Sequence, residues 1–325
     1  MFVLLGTNNG EVDCEIIDYF LRKYHLNFKE SICFDGDFLD NSFIEFGLIL
    51  ILFSLFIKLA SAPFHIWSLD VYEGVPISSA FFFAVLTKLS LFVLLIRLCY
   101  YSFLTLKSCW QFYSLAVGLF SIFVGSFGGL KEKRLKTLLA YSSISHMGYA
   151  LIAFSTSTFI GIQMLLLYVF IYMLSGLSVW YVLILLVLKK PRIEHKYSKE
   201  LSDLALLRKS NLTLAISLSL STFSVAGIPP LVGFFAKLNV FLAVIGDFFY
   251  LVGFLSILCS VVSTFYYIRI VKVLYFENLL VGKLYYPIKT TKTVILGVLT
   301  FLLLFFFVNP TILYLVNYKS ILSLL

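Results

Sequence analysis

Three lysines lie inside apolar runs: Lys58 in LFSLFIKLASAPFH, Lys88 in FFFAVLTKLSLFVL and Lys237 in GIPPLVGFFAKLNVF. An ammonium held at mid-membrane costs from about 2.5 kcal/mol upward on insertion scales, so such residues face a bundle interior and mark ion paths. At a rise of about 1.5 Å per residue, Lys88 sits roughly 18 Å into a span that opens near residue 76. Snorkelling does not readily reach water from there. Burial opposes the charge while a neighbouring carboxylate favours it, so a lysine balanced between the two can load and release a proton. The plainer reading is an ammonium near a helix end that snorkels to the headgroups; it fits Lys58 best, Lys237 less and Lys88 least.

Helix breakers accompany two of these lysines. Ala62-Pro63 follows Lys58, and Gly227-Ile228-Pro229-Pro230 with Gly233 precedes Lys237. Proline removes a backbone donor and clashes with the preceding turn, so carbonyls freed at membrane depth need protein or water. Interrupted spans beside ionisable groups recur at transporter ion sites, although proline kinks also occur in helices with no such role. Between the breaks runs Tyr141-Ser142-Ser143-Ile144-Ser145-His146-Met147-Gly148-Tyr149. Ser142, His146 and Tyr149 fall at i, i+4 and i+7 on one helix face. That stripe suits a relay through ordered water, and equally suits hydrogen bonds to neighbouring helices. Asp70 and Glu73 fall in a stretch read as a loop, 68–76. They read first as loop acids pairing with nearby lysines, and second as proton collectors at an entrance.

The elements that must position these groups are transmembrane helices. The 325 residues are 61% hydrophobic and 13% charged, with mean hydropathy +0.99; a soluble domain has about a quarter charged residues. The fold class expected is all-α integral membrane, in one domain. A span needs about 20 apolar residues, and eight such runs fall near 43–67, 76–101, 109–130, 135–154, 157–188, 212–245, 248–276 and 291–318, two of them broken. Residues 1–42 read as an extramembranous, acidic N-terminal segment ahead of a transmembrane domain, 43–325. Alternating the loops between the two faces puts sixteen of the 25 Lys and Arg on one face and six on the other, with Lys58, Lys88 and Lys237 left over. The basic face is the cytoplasmic or matrix side, and both termini lie opposite.

The same charge pattern explains the net +8 without nucleic acid. The five cysteines are scattered, so no disulfide, metal or iron–sulfur site is expected. Residues 1–10 lack the charged start of a targeting peptide, and a chain this apolar is expected to be made inside an organelle or a bacterium. The excess of Phe, 35 residues, and Tyr, 20, fits an AT-rich coding genome, as in many mitochondria.

The run Lys58-Leu59-Ala60-Ser61-Ala62-Pro63-Phe64-His65-Ile66-Trp67-Ser68-Leu69-Asp70-Val71-Tyr72-Glu73-Gly74-Val75-Pro76 resembles the K-x-x-x-x-P-F-H-x-W-x-x-D-x-Y-x-G-x-P signature of the subunit 2 family of respiratory NADH:ubiquinone oxidoreductase (complex I). Further matches occur in order at Thr87-Lys88, at Lys133 to Lys136 leading into Leu139 to Tyr149, and at Ala226 to Lys237. The resemblance covers residues 43–318. It implies helices seven to fourteen of a fourteen-helix, antiporter-like, inverted-repeat fold. Lys58 would be the lysine of the broken seventh helix, Lys88 that of the eighth and Lys237 that of the broken twelfth. The first six family helices are not matched, among them the fifth with the glutamate that partners the lysine of helix seven. That implies a companion polypeptide docking against Lys58.

The resemblance further implies a proton-translocating subunit with no redox group of its own, among other membrane-arm subunits and membrane lipids. NADH, FMN, iron–sulfur clusters and ubiquinone would be handled by partner subunits. The implied location is the mitochondrial inner membrane, with a bacterial plasma membrane as the alternative. Two rival readings stay open: a free-standing cation/proton antiporter, and a non-pumping structural fragment of the same complex.

Overall fold

The computed structural model describes residues 38–186, 200–205, 207–277 and 290–324. Regular structure among them is helical apart from an isolated bridge between Arg134 and Glu200. The principal helices are α1 (Phe38–Leu59), α2 (Ile66–Gly74), α3 (Ile77–Ser102), α4 (Lys107–Gly128), α5 (Leu135–Ser155), α6 (Phe159–Leu185), α7 (Leu212–Ala226), α8 (Val232–Gly246), α9 (Tyr250–Tyr275), α10 (Thr290–Val308) and α11 (Thr311–Leu324). Of these, α3, α4, α6, α9 and α10 are long and apolar enough to cross a membrane unaided. The chain divides into residues 1–47 and Leu48–Leu325. Of the first unit only Phe38–Gly47, the opening turns of α1, is described. The extramembranous segment expected over 1–42 therefore lies almost wholly outside the described residues, as do most of the basic loops at 187–199 and 278–289.

Both expected breaks are present, and each ends its first half in the same way. At the end of α1, Ala60 takes a left-handed φ of 57°. Its N–H donates to the Ile57 carbonyl at 3.0 Å, while the Ser61 N–H donates to that of Phe56 at 3.1 Å. At the end of α7, Gly227 takes φ 81°, its N–H donates to the Ser224 carbonyl and the Ile228 N–H to that of Phe223. This paired 6→1 and 5→2 pattern is a Schellman cap. It satisfies carbonyls of the last helical turn that the end of the helix would otherwise leave bare. The first break has an extra donor, Trp67 Nε1, which lies 2.9 Å from the Ile57 carbonyl. Trp67→Phe keeps an aromatic ring and removes the donor, and is expected to cost about 1 kcal/mol, readable as a lower thermal unfolding midpoint in detergent.

Two expectations need correction. Residues 68–76 are not a loop: once past Pro63 the chain resumes helix as α2, because Leu69 to Glu73 contains no breaker, and only Val75-Pro76 ends it. The first span accordingly closes at Leu59 rather than 67. The last span, expected to be continuous over 291–318, is interrupted at Asn309-Pro310, where proline cannot supply the next helical donor.

Helix α5 is the axis of the bundle, buried along almost its whole length. Its small residues permit this. A Cβ at Gly125 of α4 would lie 2.5 Å from the Ser145 nitrogen, and one at Gly148 of α5 would lie 2.7 Å from the Gly118 carbonyl oxygen. The backbones of α4 and α5 thus meet almost directly, as small residues allow between membrane helices. Around them the buried apolar side chains form two clusters. One holds Phe92–Ile96, Met147–Phe154 and Ile162–Tyr172; the other holds Ile77–Val85, Leu135–Ala140 and Val179–Leu186. Along α3, α5 and α6 the stretches between the two clusters carry buried polar residues, Lys88, Ser142, Ser143, Ser145 and His146, and Ser175 with Ser178, interleaved with apolar ones such as Ile144. The chain therefore carries a polar layer between two apolar ones.

Candidate functional site

The polar layer is assembled mainly from α3, α5, α6, α8 and α9. In α3 a π turn over Phe82–Leu86 precedes Lys88. The residue it adds rotates the rest of the helix by about 100° relative to an uninterrupted one. Lys88 is thereby turned inward, 3% exposed. Its Nζ has no hydrogen-bond partner and stands 5.7 Å from the centre of the Tyr172 ring. The Tyr172 ring is 4.9 Å from that of His146.

His146 is held at both ring nitrogens: Nδ1 lies 2.6 Å from the Tyr168 hydroxyl and Nε2 3.2 Å from that of Tyr267. A neutral imidazole donates through one nitrogen and accepts at the other, so this residue can pass a proton between two hydroxyls. Tyr149, one turn further along α5, packs 6.2 Å from Tyr168, and its hydroxyl donates to the Ser256 carbonyl at 3.3 Å. Lys237 lies over the Tyr149 ring at 5.5 Å.

Lys237 is 6% exposed, and its placement depends on the second break. Its Nζ donates to the Ala226 carbonyl at 2.7 Å, at the C-terminal end of α7, where the helix dipole favours a cation. Gly227 makes room for it, since a Cβ there would meet Lys237 Cδ at 2.8 Å. A cavity of about 10 Å³, lined among others by His146, Tyr168, Ser224 and Lys237, separates the imidazole from the ammonium. That is about the space one water molecule needs.

The other expected residues divide. Ser142 is buried, but its hydroxyl donates to the Leu139 carbonyl in its own helix. Lys58 is exposed rather than buried, and opens onto a cleft of about 330 Å³ that also reaches Lys88, Thr87 and Tyr72. Lys58 is exposed because no described helix covers that side of α1, the side against which further helices are expected to dock. Glu73 pairs with Arg134 of the α4–α5 turn rather than with a lysine, at side chains about half exposed, while Asp70 is exposed. Pro63, Pro229 and Pro230 lie in the breaks themselves, outside α1, α2, α7 and α8. Outside the spans, burial raises the Asp247 carboxyl above its ordinary range, against the lowering effect of the Thr158 and Thr156 hydroxyls. Tyr168, Tyr172 and Tyr267 are additions that the sequence does not single out. For Tyr168 and Tyr172 its one sign is a hydroxyl recurring at i and i+4 in a largely apolar span.

Residues 14–264 match the transmembrane family described as NADH:quinone oxidoreductase/Mrp antiporter. The NADH-ubiquinone oxidoreductase chain 2 of Marchantia polymorpha is 39% identical over 284 residues, covering 87% of this chain and 56% of the relative. The NADH-quinone oxidoreductase subunit N of Parvibaculum lavamentivorans is 34% identical, covering 87% and 57%. The chain thus spans little more than half the length of these relatives. Among solved structures, respiratory complex I from Thermus thermophilus contains a chain superposing with TM-score 0.69 at 26% identity, over 83% of this chain and 58% of that one. The Mrp complex from Dietzia contains another at TM-score 0.72 and 18% identity, over 83% and 57%, a likeness of fold alone.

Proposed function

Because this chain belongs to the NADH:quinone oxidoreductase/Mrp antiporter transmembrane family, we propose that it carries protons across a membrane as a subunit of a respiratory NADH:quinone oxidoreductase. The observation that carries this reading is the buried path from Lys88 through Tyr172, His146 and Tyr168 to Tyr149 and Lys237, with an ammonium at each end and an imidazole between them. Lys58 and Lys88, sharing one cleft, form its entrance; Lys237, seated on the carbonyl end of α7, faces the exit. Protons enter from the basic face and leave opposite. Each charge moved works against about 2.3 kcal/mol per 100 mV of membrane potential. Partner subunits supply it by oxidising NADH and reducing quinone through FMN and iron–sulfur clusters, and this chain binds none of these groups.

Lys58 needs a counter-charge, since an exposed ammonium at membrane depth is costly. A carboxylate on helices that complete the antiporter-like fold, carried by a companion polypeptide, supplies it. A mass-spectrometric inventory of the purified complex that lacks any such companion counts against this part. The setting is the mitochondrial inner membrane, consistent with the aromatic-rich composition.

His146→Phe tests the path directly. Phenylalanine fills the space between Tyr168, Tyr172 and Tyr267 and transfers no proton. In vesicles containing the assembled complex, fewer protons per NADH oxidised are expected, with assembly retained. An unchanged ratio overturns the path.

A further inference from the structure

We propose that the groove between α4 and α9 is a binding site for one acyl chain of an anionic phospholipid from the leaflet on the basic face. The groove has a volume of about 500 Å³ and is lined by Leu119, Phe123 and Phe127 on one side and Leu255, Cys259 and Val262 on the other. Its lining is apolar, and it runs on α4 from Ala116 to Phe127, which at about 1.5 Å per residue is roughly 16 Å. That is half of a hydrocarbon core of about 30 Å, the depth of one leaflet. A transmembrane helix from another chain would call for a trough of the full depth.

The charge lies at the correct end. Cys259, Val262, Tyr266 and Arg269 share a face of α9 by their spacing of three, four and three, so Arg269 stands two turns beyond the last apolar lining residue. Arg269 donates to the carbonyls of Leu130 and Glu132 at 3.2 and 3.4 Å, which fixes it beside Lys131 at the mouth of the groove. Carbonyls hold the guanidinium in place and leave its charge intact, and the Lys131 side chain is exposed. A phosphate headgroup between these two cations would leave its chain lying along the groove. At the other end, the lining residue Ser256 accepts the Tyr149 hydroxyl through its carbonyl, so the acyl chain would end beside the helix turn that holds the ring under Lys237.

The test uses the assembled, full-length complex in vesicles doped with phosphatidylglycerol or phosphatidylcholine, each with the same photoactivatable acyl chain, and maps the labelled peptides. Phosphatidylglycerol is expected to label residues 116–127 and 255–262 several-fold more than phosphatidylcholine. Lys131→Gln is expected to reduce that excess about fivefold, the factor for one basic residue near an anionic lipid surface. Ala116→Trp, which occupies the inner end of the groove, is expected to weaken the labelling there. Equal labelling by both lipids overturns the proposal, since the groove is then ordinary lipid-facing surface. Absence of lipid labelling, with a protein neighbour crosslinked there instead, also overturns it. The lipid preference does not depend on proton pumping, so it stands or falls separately from the transport reading.

Discussion

Lys88→Met is expected to make the protein harder to unfold and unable to move protons. The ammonium of Lys88 is buried with no hydrogen-bond partner, and an unsatisfied buried polar group costs about 1–3 kcal/mol, more when charged. The ring of Tyr172 recovers part of this through a cation–π contact, about 2 kcal/mol when desolvated. Methionine has nearly the same length and reach without the charge, so a net gain of about 1 kcal/mol is expected. Thermal unfolding of the complex in detergent reads the first effect, and proton uptake by vesicles during NADH oxidation reads the second. A protein maximising stability would not keep this lysine. A variant that pumps normally would reduce Lys88 to a bystander, and one that is less stable would show that the ammonium has a partner in the assembly.

Gly233→Ala is expected to have the opposite signature, with fold and function lost together. A Cβ on residue 233 would lie 1.8 Å from the Ser224 carbonyl oxygen, far inside van der Waals contact. The atom it meets is backbone, capped into the end of α7, so no rotamer change relieves the clash. The halves α7 and α8 must move apart, and with them the Ala226 carbonyl that seats Lys237. Overpacking of a tight core costs about 1–3 kcal/mol, occasionally more, and a clash against backbone belongs at the upper end. The measurement is the yield of assembled complex on a native gel, with Gly246→Ala as the control, since nothing lies within 4 Å of a Cβ there. Equal assembly of the two variants would show that the break tolerates separation.

Contrast decides how much is legible in the sequence. Lys88 and Lys237 stand out because charge is rare in their runs, and the structure buries both. Pro63 and the Gly227–Pro230 stretch mark breaks because their backbone chemistry is local. Whether Lys58 is covered is not legible locally, because burial depends on what packs over a residue, and the side of α1 that carries it is not covered by the described helices. The tyrosines escape for the opposite reason. In a chain with 20 Tyr, Tyr168, Tyr172 and Tyr267 look like any others, and only the folded geometry sets two of their hydroxyls against His146 and the third ring beside it. Helix α2 reads as loop because Gly74 and Pro76 signal a turn, although they act only at its end. The π turn before Lys88 has no local signature, yet it decides which way that side chain points.

The sandwich of one polar stratum between two oily ones also sets an electrical property. In a membrane under voltage, the larger share of the potential is expected to fall across the two apolar zones, because the middle polarises more readily than they do. Each works as a thin insulating plug, and a proton resting in the centre is isolated from both bulk phases unless one plug wets. On the proposed transport reading, turnover without short circuit requires that the plugs never wet together, and a hydrophilic substitution in either zone is expected to discharge the membrane rather than merely slow transport.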